Sequence, residues 1–302
     1  MKMNKTVPQA ISIKEAQRLQ GSLAHRLFNE PLAISTEAIP QLLLCMANDK
    51  VGETMAAAHR TEQSASFQVE SDRWGNPLPA PYVTDGIAVL PLFGPIIKGA
   101  GNIGKWYAMA DLNDFRIWLT DAEKNPEVKG IVFHIDSPGG FTTGVQEIAA
   151  MISRISTKSK PTMAYTEGSM GSAAYWIGGS STFVYGTPSS MVGSIGTFLA
   201  IQDASKFYES MGIKIHVFRS GEYKGIGEDG VSEKQASYLQ ERVSKNAEEF
   251  KAAISSRRPS ISREDMNGQS YFGTEAAQRG FLGGLVEGFE QAVAKFRGHI
   301  TQ

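Results

Sequence analysis

The stretch Gly130-Ile131-Val132-Phe133-His134-Ile135-Asp136-Ser137-Pro138-Gly139-Gly140 decides how the rest of the chain is read. Its first part is almost continuously apolar and β-branched, the pattern of a strand covered on both faces. Asp-Ser-Pro-Gly-Gly then breaks the strand, and apolar residues at helical spacing follow over 143–156. The same unit recurs downstream, with a strand at 162–165, a glycine-containing turn, a helix around 172–178 and a strand at 182–185. A helix at 203–211 and a strand at 214–218 continue it, and a long helix near 232–256 and a small β/α tail over 271–296 complete it. Upstream, Asp85-Gly86 sits between two short apolar runs as a hairpin turn, and a helix is expected over 112–123. Such alternation predicts an α/β domain with largely parallel pairing and right-handed crossovers.

Bulk properties narrow the function. The 302 residues carry a formal net charge of −1 with the two signs interspersed, so nothing draws the chain electrostatically to nucleic acid or an anionic membrane. The single cysteine, Cys45, excludes an intrachain disulfide, implies a reducing compartment, and reads as a small buried hydrophobe beside Leu42, Leu43 and Leu44. Five histidines without paired spacing give no zinc site, and no cofactor motif is present. No apolar segment follows the N-terminal lysines, and the most apolar run, 87–97, is broken by Pro91, Gly94 and Pro95. No membrane anchor is therefore expected, and a cytoplasmic location is. Residues 1–54 read as a helical extension, with Thr36-Glu37 opening one helix. Residues 55–80 read as a polar linker or arm, and 81–302 as the cohesive domain.

In open α/β sheets, sites form where strands turn into helices. Three such turns carry usable chemistry. Asp136–Gly140 can aim backbone N–H groups at a ligand, as an oxyanion hole does, or can serve only as a tight turn. In Gly171-Ser172-Ala173-Ala174, Ser172 stands where a helix begins and negative charge is favoured; it is either a nucleophile or a helix cap. Ser169 is a second, weaker candidate. In Ser220-Gly221-Glu222-Tyr223-Lys224-Gly225, Lys224 is a solvated turn residue unless something else needs it. The placement of the histidines supplies that need. His134 and His216 sit within apolar strand patterns, and His25, His59 and His299 lie in the terminal parts, so a Ser-His-Asp triad has poor raw material. A desolvated lysine can act as base in place of histidine.

Taken in order, Asp136–Gly140, Gly171-Ser172, Gly193-Ser194-Ile195-Gly196 and Ser220–Lys224 resemble the motifs of the signal peptide peptidase A family. The interval of about fifty residues from serine to lysine matches too. Gly268–Ala277, Gly280 and 282–286 are similar to that family's closing segment. Within it, the head-maturation proteases of lambda-like phages and prophages are the nearer likeness, through Arg26-Leu27-Phe28-Asn29-Glu30-Pro31-Leu32 and Asp85–Pro91. One departure is Ser172-Ala173-Ala174-Tyr175, where the cellular enzymes usually have Ser-Gly-Gly-Tyr. The resemblance implies a Clp protease/crotonase-like fold of stacked ββα units assembling as a homo-oligomer. It also implies Ser172 as nucleophile, Lys224 as base, Ser194 orienting the lysine, and the backbone N–H groups of Gly140 and Ala173 as the oxyanion hole. Implied substrates are phage capsid, scaffold or portal proteins. The alternatives are a cellular cytoplasmic peptidase of the same type and a non-catalytic head-assembly factor.

Overall fold

A computed structural model describes residues 32–34, 71–72, 75–201 and 205–300. In chain order the elements begin with strands β1 (Leu32–Ile34), β2 (Tyr82–Thr84), β3 (Ile87–Phe93) and β4 (Ile96–Ile97) and helix α1 (Gly101–Trp106). Next come β5 (Ala110–Asp111), α2 (Leu112–Lys124), β6 (Gly130–Asp136), β7 (Gly139–Phe141) and α3 (Val145–Lys158). They are followed by β8 (Thr162–Thr166), β9 (Ser169–Gly171), α4 (Ala173–Gly178), β10 (Phe183–Gly186) and β11 (Met191–Gly193). The chain continues through α5 (Ser205–Ser210), α6 (Glu233–Arg257), β12 (Ser270–Phe272), α7 (Gly273–Gln278), β13 (Gly284–Leu285) and α8 (Phe289–Ile300).

The long strand of each unit joins one six-stranded sheet in the order β13-β10-β8-β6-β3-β2, parallel throughout except for the β2–β3 hairpin. That hairpin turns through Asp85 (φ 47°) and Gly86 (φ 77°), the two left-handed residues an Asp-Gly turn requires. Pro91, which cannot donate to a ladder, lies beyond the stretch of β3 that β2 pairs. Alternation along the strands divides the core in two. Ala88, Leu90, Leu92, Ile131, Phe133, Ile135 and Ala164 face helices α2, α3 and α4; Ile87, Val89, Val132, Met163 and Tyr165 face Phe296 and Ala292 of α8. Both faces are covered, which is why the strands read as unbroken apolar runs.

Strands β3, β6, β8 and β10 are each followed by a shorter one, and these, with β1, β5 and β12, build two further small sheets, β1-β7-β4-β5 and β12-β11-β9. The architecture is thus a stack of ββα units, the α/β class expected. The short strands replace what the sequence presents as turns, because two or three glycine-rich residues carry no periodicity of their own.

Other expectations are corrected. The strand expected at 214–218 is absent. Its apolar residues Ile215 and Phe218 are exposed, and no neighbouring strand among the described residues offers it a ladder. His216, placed in that strand, is likewise exposed. Within the extension expected to be helical, Leu32–Ile34 is a strand held by β7; the helix at Thr36-Glu37 lies outside the described residues. The helix expected over 203–211 is described over Ser205–Ser210. Among the described residues no helix is long and apolar enough to cross a membrane.

Candidate active site

The site is built from two braced turns. Ser137 N–H donates to the Ser169 carbonyl at 2.7 Å, Gly171 N–H returns to the Ser137 carbonyl at 3.1 Å, and Asp136 Oδ1 accepts from Ser169 N–H at 2.9 Å. These bonds lock the turn after β6 beside the turn after β8. Ser137 Oγ also accepts the Gly139 N–H at 3.2 Å, shaping the first turn from within. Gly139 has φ +99°, and a Cβ there would meet the Gly171 carbonyl oxygen at 2.9 Å and the Ala173 nitrogen at 3.0 Å. Only glycine fits.

Ser172 follows directly. It is buried and has φ 53° and ψ −119°, a region that L residues rarely occupy. Its N–H donates to the Gly193 carbonyl at 2.7 Å, and its carbonyl accepts the first helical bond, from Trp176 N–H at 2.9 Å. The hydroxyl makes no capping bond to α4; it turns toward the Gly196 carbonyl at 3.4 Å. The capping alternative for Ser172 therefore does not describe this side chain. The strain is sustained from behind, because every residue of α4 is buried. Trp176 stacks on Phe250 with centroids 4.5 Å apart, and Tyr175 Oη donates to the Phe281 carbonyl at 2.8 Å. Burial pushes the Tyr175 phenol well above its ordinary range, so it remains a donor.

The N–H of Ala173 opens α4 and has no hydrogen-bond partner among the described residues. A free donor at a helix start, one residue from a strained serine hydroxyl, is suited to an oxyanion. Gly140, the other residue expected in that role, lies in β7 together with Gly139, opposite Ala33 and Ile96. The Cβ position of Gly139 lies close to the Ala173 nitrogen.

Ser194 is close by. It is buried, has φ 54°, follows the carbonyl that holds Ser172, and donates its N–H to the Gln269 carbonyl at 2.6 Å. Its hydroxyl has no partner among the described residues and faces a cleft of about 420 Å³ that Gly196, Gln240 and Met266 also line. Lys224 is not brought to this site. It is exposed in the loop before α6, and its amine makes no hydrogen bond or ion pair among the described residues. The lysine nearest that loop, Lys234, is paired with Glu222 at 2.6 Å. Nor, among the described residues, does a histidine contact Ser172. His134 lies 3.6 Å from Glu167 and stacks on Phe289, and His299 stacks on Phe183; His25 and His59 are outside the described residues.

The sequence pattern of Peptidase family S49 matches residues 154–300, a span containing Ser172, Ser194 and Lys224. Over these residues the chain is similar to the proteases of family S49. Similarity to known proteins extends further toward the N-terminus. The chain is 27% identical to the capsid assembly protease C of Escherichia phage lambda over 68% of its length and 48% of the relative's. It is 28% identical to the head-tail preconnector protein GP5 of Enterobacteria phage P21, over 66% of its length and 41% of the relative's. The chain thus spans about half or less of the length of the curated relatives it matches. Among solved structures, a ClpP1 variant of Listeria monocytogenes aligns with a TM-score of 0.44 at 14% identity, covering 68% of this chain and 94% of that one. An enoyl-CoA hydratase/isomerase family protein of Silicibacter pomeroyi aligns with a TM-score of 0.41 at 13% identity, covering 73% and 81%.

Proposed function

We propose that this chain is a serine endopeptidase that cleaves phage head proteins, with Ser172 as nucleophile and Lys224 of a neighbouring copy as base. The observation that carries this reading is the backbone of Ser172: a buried serine held at φ 53° and ψ −119° beside the free N–H of Ala173. Strain of this kind persists where surrounding structure over-determines it, and it aims the hydroxyl away from the helix it begins. In the proposed reaction Ser172 Oγ attacks the substrate carbonyl carbon and its proton passes to the neutral Lys224 amine. The carbonyl oxygen becomes negative facing Ala173 N–H, and Ser194 orients the lysine. The C–N bond then breaks, the lysine ammonium gives its proton to the leaving amine, and water releases the acyl group by the same steps.

The neighbouring copy is supported by what surrounds Lys224. Exposed large apolar residues concentrate in this part of the chain, among them Phe207, Met211, Ile213, Phe218 and Val231, with Phe218 96% exposed. Such a patch marks an interaction surface. An exposed lysine within it is placed to enter another subunit's site, and closed head-to-tail symmetry would give every serine a lysine. The phage relatives named above support head proteins as substrates and the host cytoplasm or a prohead as the setting. A further part of the reading is that the cohesive domain runs from residue 81. The test is labelling with a serine-reactive phosphonate. The parent protein should take up one equivalent at Ser172, and Ser172→Ala should take up none; equal labelling of the folded Ser172→Ala protein would remove Ser172 from the reaction.

A further inference from the structure

One strand of the structure lies across the front of this site. β1 runs antiparallel along β7, with Leu32 opposite Phe141, Ala33 opposite Gly140 and Ile34 opposite Gly139. Ala33 is fully buried and Ile34 is 4% exposed. The Cβ position of Gly139, 3.0 Å from Ala173 N, is 2.2 Å from the carbonyl oxygen of Ala33. The Ala33 carbonyl and the free Ala173 N–H therefore border the same small gap beside Ser172. Ile34 in turn lines the cleft walled by Ser194 and Gly196, the residue toward which the Ser172 hydroxyl points.

An extended peptide entering a serine peptidase needs a strand edge for its backbone, donors for its reacting carbonyl and a pocket for a flanking side chain. Residues 32–34 lie at all three places: β7 pairs their backbone, the Ala33 carbonyl and the Ala173 N–H both border the space beside Gly139, and Ile34 forms part of the cleft wall. We infer that Leu32–Ile34 is a tethered occupant of the peptide-binding track, a segment of the chain that competes with substrate for the site it lies on. The inference rests on the peptidase reading above. It also gives that reading a substrate class: extended peptides with a small residue at the reacting carbonyl and an apolar residue after it, as in Ala33-Ile34. A tethered competitor acts at an effective concentration set by its linkage rather than by dilution, so it holds the track until a better or more concentrated strand displaces it. Its kinetic mark is an apparent KM raised by the ratio of total to open protein, with kcat unchanged.

The full chain is compared with Ala33→Asp and Ile34→Asp, either of which puts a carboxylate where burial is complete or nearly so and expels the strand. Ile34→Val, which keeps the apolar side chain, is the control. With an extended peptide substrate, both aspartate variants should lower KM by at least about five-fold at unchanged kcat, and the control should behave as the parent. A fluorescent peptide of residues 29–37 supplies a readout that needs no catalysis. It should bind the aspartate variants at least about five-fold more tightly than the parent, by anisotropy. Equal peptide binding to the parent and both variants, or a fall in kcat at unchanged KM, would overturn the tethered occupant. If the peptide discriminates as expected but no protein is labelled by phosphonate, occupancy of the track stands and the serine nucleophile does not.

Discussion

The N–H of Ser172 and the carbonyl of Gly193 are joined at 2.7 Å, and through this bond two strained serines become neighbours. Ser172 has φ 53°, and Ser194, one residue beyond Gly193, has φ 54°. Neither conformation is one serine chooses alone. The pairing ties the strain of the proposed nucleophile to that of the residue proposed to orient its base.

Relief of that strain is measurable. Ser172→Gly should abolish peptide cleavage and raise stability by about 1 kcal/mol, since about 1–3 kcal/mol of backbone strain is released against glycine's larger unfolded entropy. Ser172→Ala should be equally inactive but without the gain, because alanine is also strained at φ 53°. Chemical denaturation compares the three proteins. A glycine variant no more stable than the alanine variant would mean that the surroundings, not the residue, carry the distortion.

The separation of Ser172 from Lys224 within one subunit predicts complementation. Ser172→Ala and Lys224→Ala proteins, each inactive, are mixed in equal amounts, unfolded and refolded together. If the site is shared, about a quarter of the sites regain both partners. Mixed oligomers confirmed by mass but without activity would exclude a shared site. Lys224→Arg should be as inactive as Lys224→Ala, because arginine stays protonated and cannot take the serine proton.

Gly139→Ala places a methyl group into the space between Ala33 and Ala173, at a left-handed φ. A drop in kcat on the order of 10²–10³ is expected, the scale of losing one oxyanion donor. Gly298, in α8, is a fitting contrast: a Cβ there meets nothing within 4 Å. Gly298→Ala should leave kcat alone and stabilise the helix by up to about 1 kcal/mol. Similar kcat values for the two variants would detach Gly139 from the chemistry.

His134 gives the fold a dependence on acidity. Burial holds its pKa below the ordinary histidine value, against the opposing pull of Glu167 and Asp136. A depressed value means that the unfolded chain takes up the proton first. The stability carried by neutral His134 is therefore present above about pH 6.5 and is lost as pH falls toward the folded value. His134→Phe keeps the ring contacts with Phe93, Tyr165 and Phe289 and should flatten the decline between pH 7 and pH 5. Denaturation midpoints across that range check it; an undiminished slope would assign the effect to other groups.

Much of this was readable in the sequence where a residue announces its own conformation. Asp85-Gly86 specified its turn, the apolar run at 130–135 its buried strand, and the stretch 232–256 the long helix α6. Gly171-Ser172 also marked where a strand meets a helix. What could not be read depends on partners. β7, β9 and β11 are three residues each, and they are strands only because segments far away pair with them. The run at 213–218 has strand composition but no ladder among the described residues, so its pattern led to the wrong element. Leu32–Ile34 is strand because β7 holds it, and no local periodicity encodes that. Gly139 and Gly140 are alike in sequence, and only the fold separates the left-handed Gly139 beside Ala173 from Gly140 against the Ile96 backbone.

The pairing of β12 with β11 has a consequence during synthesis. Ser194 is held by the carbonyl of Gln269, Ile195 by the N–H of Gly268, and β11 by β12, so the floor of the site is completed by residues made some seventy positions after Ser194. A ribosome that has delivered Ser172, Ser194 and Lys224 has still not delivered the segment that fixes their surroundings. A chain stalled before residue 268 carries every proposed reactive group yet lacks the ordered site. The order of the gene thereby withholds the proposed site until translation has passed the point where the fold can close.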